Sequence, residues 1–155
     1  MSGAERPDSS DSPARRARRE RGVTALAELL ASMRPELDPE PWVFATAATA
    51  LPDAAVTVVE REGVTSVVRE RDLDDARALA PEVQPSAPFA RITLTVHSDL
   101  EAVGLTAAIA SALADQGIPA NVVAGYFHDH VYVPWSRASD AVEVLRALGA
   151  GDASL

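Results

Sequence analysis

The spacing of apolar and polar residues predicts helices and strands arranged in two halves. In the first half, residues 24–33 place Leu and Met three and four positions apart, which predicts an amphipathic helix. Residues 42–46, and two β-branched runs within residues 54–70 that flank a Glu-Gly turn, predict three strands. Residues 72–80 predict a short helix, and the three prolines of residues 81–88 are typical of a linker.

The second half begins with a predicted strand followed by a predicted helix. Residues 89–97 alternate between apolar and polar side chains, as a half-buried strand does. Residues 98–117 have helical spacing, with Ser98 and Glu101 placed as a capping box. Gly117 is placed for the C-terminal cap of the same helix.

A β-hairpin and a helix close the second half. Residues 118–126 and 130–134 predict two strands joined across residues 127–129, and residues 136–149 predict a helix that begins at a Ser N-cap and stops at Gly149. This order is βαββα, one strand short of the ferredoxin-like βαββαβ unit. We therefore expect an α+β fold in which strands are shared between the halves. They would form one continuous antiparallel sheet, or two sheets side by side, with helices on one face.

Four segments follow from these patterns. Residues 1–22 contain mostly Ser, Pro and charged residues, which predicts a disordered tail because such a segment buries too little apolar surface. Residues 23–86 form a first domain, residues 87–149 form a second, and residues 150–155 form a short tail.

Composition narrows the classes of function. The net charge is −9, and residues 1–22 contribute +2, so the body is acidic and unsuited to a broad nucleic-acid surface. The chain has no cysteine, which excludes disulfides and thiolate chemistry, and no lysine, which excludes Schiff bases. No apolar run is long enough to cross a membrane. We expect a cytoplasmic protein that is not an enzyme and uses no cofactor.

The second half resembles ACT domains, the small βαββαβ modules that bind amino acids. The resemblance lies in the strand ARITLTVHS, the segment LEAVGLTAAIASALADQGI with Gly104, the strand start ANVVAGY with Asn121, and the hairpin HDHVYVP. Residues 24–148 as a whole resemble stand-alone tandem ACT proteins of bacteria. The resemblance implies two ferredoxin-like modules that share strands and hold a small ligand at their interface.

More distantly, the chain is similar to the CASTOR arginine sensors and to the regulatory ACT domains of aspartate kinases. The sensors carry an acid just before the apolar strand of the hairpin, and Asp129 occupies that position. Gly125 and the two histidines beside Asp129 do not match the sensors, so arginine is not implied as the ligand.

A zwitterionic amino acid needs donors for its carboxylate and acceptors for its ammonium group. Backbone N–H groups at a helix start suit the carboxylate, a glycine lets a ligand approach the backbone, and carboxylates or neutral polar groups suit the ammonium end. The predicted ligand-binding residues are Ser98, Asp99, Leu100, Glu101, Ala102, Val103, Gly104, Leu105, Thr106, Asn121 and Asp129. Ser98 and Glu101 also fit a purely capping role, and Gly104 and Asn121 fit purely structural ones.

Two alternatives remain open at this stage. His97, His128 and His130 have ligand chemistry suited to zinc, iron or nickel, so the His-Asp-His hairpin is an alternative metal site or metal-dependent active site. A structural interaction module without a ligand is the other alternative. Expected partners are a small molecule and either a second copy of the chain or a regulated enzyme.

Overall fold

The computed structural model describes residues 25–95 and 104–151. Residues 25–32 belong to helix α1. The elements that follow are β1 (Pro35–Leu37), β2 (Trp42–Ala47), β3 (Val56–Val59), β4 (Val64–Arg69), α2 (Leu73–Leu79), β5 (Gln84–Pro85), β6 (Phe89–Leu94), α3 (Leu105–Asp115), β7 (Asn121–Ala124), β8 (Asp129–Pro134) and α4 (Ala138–Ala150). Short 3-10 turns, Glu70–Asp72 and Trp135–Arg137, precede α2 and α4.

All eight strands belong to one antiparallel sheet, which confirms the expectation of a continuous α+β fold. The main strand order is β3-β4-β2-β6-β8-β7, and in addition β1 pairs with β6 and β5 pairs with β2. Four strands of the first half, β2, β3, β4 and β5, pair with one another, whereas the second half has three strands of its own, β6, β7 and β8. The second half obtains its fourth strand from β1, which pairs with β6 and lies more than fifty residues before it in the sequence.

Two extended segments run antiparallel along the junction between the halves. Residues 35–47 contain β1 and β2, and residues 84–94 contain β5 and β6. Leu37 pairs with Ile92 in the β1–β6 ladder, and Ala45 pairs with Pro85 in the β2–β5 ladder. The interpretation of residues 81–88 as a linker is therefore incomplete, because two of them form a strand. Proline is compatible with this short strand because it can still offer its carbonyl to the ladder.

The helices and the strands enclose two apolar clusters on one face of the sheet. The cluster of the second half includes Ile92, Leu105 and Leu145, and the Leu side chains of α1 pack against it together with Met33, which is 2% exposed. The cluster of the first half lies under α2. Helix α1 thus belongs to the first half in sequence but packs on the core of the second.

An aromatic and apolar cluster lies on the other face of the sheet. Trp42, Val67 and Tyr132 form its buried part, against which Val56 of β3 and Val123 of β7 both pack. Val56 lies opposite Val67 in the β3–β4 ladder, and β7 pairs with β8, which carries Tyr132. The cluster therefore extends from one edge of the sheet to the other.

The helix ends agree with the sequence expectations in one case and differ in others. Gly117, at φ +63°, ends α3 in a Schellman motif: its N–H bonds to the Ala114 carbonyl and the Ile118 N–H to the Leu113 carbonyl. The predicted helix start, with Ser98 as N-cap, lies outside the described residues, and the described helix α3 runs from Leu105, after Gly104 in the left-handed conformation.

The last helix departs from expectation at both ends. It begins at Ala138, one residue beyond the 3-10 turn that contains Ser136. Gly149 does not stop it, because α4 continues to Ala150 and Gly151 takes the left-handed conformation at φ +76°. Gly149 instead lies at a close contact with α1: a Cβ on it would be 3.0 Å from the Leu30 carbonyl oxygen.

Candidate functional site

Asp129 is the first residue of β8, and it does not lie at the tip of the hairpin as the sequence suggested. It pairs with Ala124 of β7 and with Leu94 of β6, so strands flank it on both sides. The turn itself comprises residues 125–128, closed by a hydrogen bond of 3.0 Å from the Gly125 N–H to the His128 carbonyl. Asp129 shares the helix-covered face with Leu94 and is 7% exposed.

The environment of Asp129 favours its neutral form. Burial raises the pKa of this carboxyl above its ordinary value, and the neighbouring His130 and His128 only partly oppose the shift. A cation that reached this carboxyl would favour the ionised form and lower the pKa. A positively charged ligand group would therefore stabilise the ionised form of Asp129.

Helix α3 begins close to the same end of the sheet. Strand β6 ends at Leu94, the cross-strand neighbour of Asp129, and the chain returns as α3 to reach β7 at the opposite end. Gly104 precedes α3 with φ +101°, a conformation that a residue with a Cβ rarely adopts, and it has Leu26 of α1 as a neighbour. The end of β6, the beginning of α3 and part of α1 thus meet in one region.

The first turn of α3 offers backbone donors to this region. The first intrahelical bond runs from the Ala108 N–H to the Gly104 carbonyl, so the N–H groups of residues 105–107 precede it. The Leu105 side chain is buried in the core and leaves only its backbone for a ligand, whereas Thr106 is exposed. The positive end of the helix dipole favours an anionic group here.

The remaining predicted ligand residues divide into two groups. Ser98, Asp99, Leu100, Glu101, Ala102 and Val103 lie outside the described residues. Asn121 is described, but it is at the far end of β7, where it pairs with Tyr132. Three residues of strand separate it from the level of Asp129, a distance of about 10 Å. The order of elements thus places Asp129, Gly104 and Thr106 toward the same end of the sheet, and Asn121 toward the other.

The histidines are arranged differently from a metal site. His130 is on the opposite face of β8 from Asp129, and its Nδ1 is 3.0 Å from the Thr93 hydroxyl. Burial, Arg91 and His128 lower the pKa of His130 below its ordinary value. Within residues 25–95 and 104–151, no three His, Asp or Glu side chains are placed to share a metal ion. His97 lies outside these residues.

A polar cluster that sequence patterns did not indicate lies at the junction of the halves. Asp38, between β1 and β2, accepts a hydrogen bond of 2.7 Å from the Arg91 guanidinium. The guanidinium carbons of Arg91 and Arg69 lie 4.1 and 4.8 Å from the centre of the Trp42 ring, and Arg69 also pairs with Glu40. The cluster joins residues that are about fifty positions apart, so no local pattern could reveal it.

The pKa of Asp38 reflects this setting. Burial raises it, but the Glu40 amide, Arg91, the Trp42 indole and Arg69 together hold it below the ordinary value. The Trp42 indole N–H is buried, although within the described residues no acceptor lies in good hydrogen-bonding geometry with it. The residues of the junction thus stabilise the ionised form of Asp38.

Comparison with known proteins assigns this fold. Two family models for the ACT domain match the chain in tandem, one over residues 21–86 and the other over residues 88–147. The chain belongs to the ACT domain family. ACT domains in general are regulatory domains that bind small molecules such as amino acids.

Solved structures show the same arrangement. A Vibrio cholerae protein of unknown function, described as a possible transport protein, is 43% identical over 83% of this chain and 98% of its own, with a TM-score of 0.70. The regulatory subunit of aspartate kinase from Thermus flavus is 13% identical over 74% of this chain and 96% of its own, with a TM-score of 0.59. An Agrobacterium tumefaciens protein is 16% identical over 76% and 89%, with a TM-score of 0.55.

Two further results complete the comparison. No curated protein matches the chain at a significant level. In the part of the chain that the structure describes, no helix is both long and apolar enough to cross a membrane.

Proposed function

We propose that the chain is a regulatory protein that binds an amino acid at the end of the sheet where β6 ends and both β8 and α3 begin. The observation that carries the proposal is the burial of Asp129 at the end of the sheet where β6 ends, the end from which the chain leads into α3. Asp129 would accept from the ammonium group, and the N–H groups of the first turn of α3 would donate to the carboxylate. The two ends of a zwitterion thus have separate, complementary partners.

Both halves of the chain contribute to this region. Gly104 and Asp129 belong to the second half, and Leu26 comes from α1 of the first half. A ligand held here would contact elements from either side of the junction. Residues 98–103 are assigned to the same site, since they connect β6 to α3. Binding would then change the association of the chain with a second copy or with a regulated enzyme, by favouring one of two conformations.

A thermal-shift screen of the twenty amino acids tests the proposal. A ligand present at 100 times its Kd should stabilise the protein by about 2.7 kcal/mol. Asp129→Asn should remove the shift produced by that ligand, because an amide cannot balance the ammonium charge. Asp115→Asn is the matched control, since Asp115 is an exposed acid at the other end of α3 and should leave the shift unchanged.

Three outcomes would count against the proposal. No shift with any amino acid would favour a structural module without a ligand. A shift produced by zinc or nickel, and lost in His130→Ala, would favour the metal site instead. An amino-acid shift that persists in Asp129→Asn would keep the ligand but place it elsewhere.

A further inference from the structure

The two halves differ in one element on the helix-covered face. In the second half, α3 connects the first strand of the unit, β6, to β7, and it packs beside α4. In the first half, the equivalent connection from β2 to β3 is residues 48–55, which contain no helix. Helix α2 therefore has no helical neighbour of its own half on the side where α3 would lie.

A cavity of about 370 Å³ occupies this position. Its wall is formed by the connection, the end of β4, the 3-10 turn and α2, and comprises Pro52, Asp53, Val68, Arg69, Arg71, Asp72, Asp75, Ala76 and Leu79. We name this feature the α2 groove. Leu79 is a large apolar side chain that lines this groove and is 69% exposed.

The arginines of the α2 groove are paired with acids, whereas two of its acids have no such pair in the part of the chain that the structure describes. Arg71 is paired with Glu40 and Asp72, and Arg69 with Glu40 and Asp38. Asp53 and Asp75 have no ion-pair partner among the described residues. A groove that combines unpaired carboxylates with apolar side chains such as Pro52 and Leu79 suits long cationic side chains, whose stems cover apolar surface while their heads meet the acids.

The chain itself contains a segment of this character. Residues 14–21, ARRARRER, carry five Arg and one Glu, a net charge of +4, whereas residues 23–155 carry −11. We propose that this segment docks in the α2 groove of its own chain, with Arg side chains over Leu79 and beside Asp53 and Asp75. The basic segment would then cover the surface beside α2 that, in the second half, the equivalent helix α3 covers beside α4.

The reach of the segment is sufficient. Arg15 and Arg16 lie nine or ten positions before residue 25, a span of up to about 30 Å when extended. The six strands of the main sheet order would cover about 24 Å if they were flat. Both α1 and α2 pack on the helix-covered face, so the segment does not have to pass around an edge of the sheet.

Disulfide trapping in the full chain tests the docking, because the chain has no cysteine of its own. The variant Ala17→Cys/Leu79→Cys places one thiol in the segment and one at the rim of the groove. At micromolar protein under mild oxidation it should form an intramolecular disulfide about tenfold faster than Ala17→Cys/Gln116→Cys. Gln116 is the control position, since it is exposed at the end of α3 in the other half.

Charge reversal provides an independent readout. Asp75→Arg in the trapping variant should slow disulfide formation, and adding Arg18→Asp and Arg19→Asp should restore it. High salt should slow the reaction in the trapping variant, because screening weakens exposed charge pairs. Circular dichroism of each variant checks that the fold is retained.

Three results would contradict the docking proposal, each in a different way. Equal rates for the Leu79 and Gln116 pairs would show that the segment has no preference for the α2 groove and would overturn the proposal. Disulfide-linked dimers in place of the intramolecular product would assign the groove to the segment of a second copy. A rate that does not respond to Asp75→Arg would remove the electrostatic basis of the docking.

Discussion

Asp129 shows how a residue can be identified from sequence while its environment is not. The acid before an apolar strand was a predicted ligand contact, and it stays one. Its place in the sheet was expected to be a turn, where a carboxylate is solvated. In the structure the residue is paired on both sides and 7% exposed, so its burial comes from β6, thirty-five residues earlier.

This burial leads to a prediction about stability. Because the folded-state pKa of Asp129 is raised, its contribution is fully present below the ordinary pKa of 3.8 and is lost as the pH rises through the folded pKa. Asp129→Asn, which cannot ionise, should therefore be more stable than the unchanged protein at pH 7. Urea unfolding at pH 7 and at pH 4 measures the difference, which should shrink at the lower pH.

The opposite sign would be informative. A variant that is clearly less stable at pH 7 would mean that the ionised carboxylate has a cationic partner in the folded chain, and the site would then be closed to a ligand ammonium group. Because Asp129→Asn should be the more stable protein at pH 7, loss of the ligand-induced thermal shift in this variant could not be attributed to unfolding.

At the scale of elements, the segment between β1 and β2 is the feature that joins the halves. Residues 35–37 pair with β6, and residues 42–47 pair mainly with β4. Asp38 lies at the change of partner, where its backbone N–H bonds to the Arg91 carbonyl and its side chain bonds to the Arg91 guanidinium. The side chain thus fixes the point at which the strand leaves one half for the other.

Replacement of Asp38 should destabilise the protein. Asp38→Asn leaves Arg91 partly buried without its anion, which we expect to cost about 1–3 kcal/mol of unfolding free energy at neutral pH. The folded-state pKa is lowered, so the stabilisation is present above the ordinary pKa of 3.8 and is lost as the pH falls through the folded pKa. Denaturant unfolding of the variant and the unchanged protein measures the cost.

Asp74→Asn is the matched control. Asp74 also pairs with an arginine, Arg77, at 3.2 Å, but its side chain is 93% exposed. An exposed pair contributes little, so this variant should unfold at the same denaturant concentration as the unchanged protein. Equal effects of the two substitutions would mean that the junction gains nothing from the buried position of Asp38.

At the scale of the whole molecule, the second half incorporates elements of the first, so the halves should not behave as independent domains. Helix α1 and strand β1 pack with the second half, although the family matches divide the chain near residue 87. One sheet runs through both halves, so an opening of either half breaks ladder pairs of the other. Unfolding is expected to be a single cooperative transition.

The two tryptophans allow this to be measured, since Trp42 is in β2 and Trp135 follows β8. In Trp135→Phe, fluorescence reports the first half, and in Trp42→Phe it reports the second. Within each variant, the fluorescence and far-ultraviolet circular dichroism curves in urea should coincide. A clear separation of the two midpoints in either variant would show that the halves unfold independently.

The sequence by itself determined the local features of this protein. The strand and helix positions, the Schellman end of α3 at Gly117 and the apolar stripe of α1 follow from periodicity and from the conformational needs of single residues. The missing strand of the second half was also evident, because a βαββα order is incomplete. These features depend on neighbours within a few positions, and the sequence contains that information directly.

Only the tertiary structure decided which segments are partners. It assigned β1 and α1 to the second half, buried Asp129, started α3 at Leu105 and set Asp38 against Arg91. It also revealed the α2 groove, which exists because a connection without a helix lies beside one helix of the first half. Each of these depends on contacts between residues distant in the chain. Such contacts contribute free energy only after folding has brought both segments together.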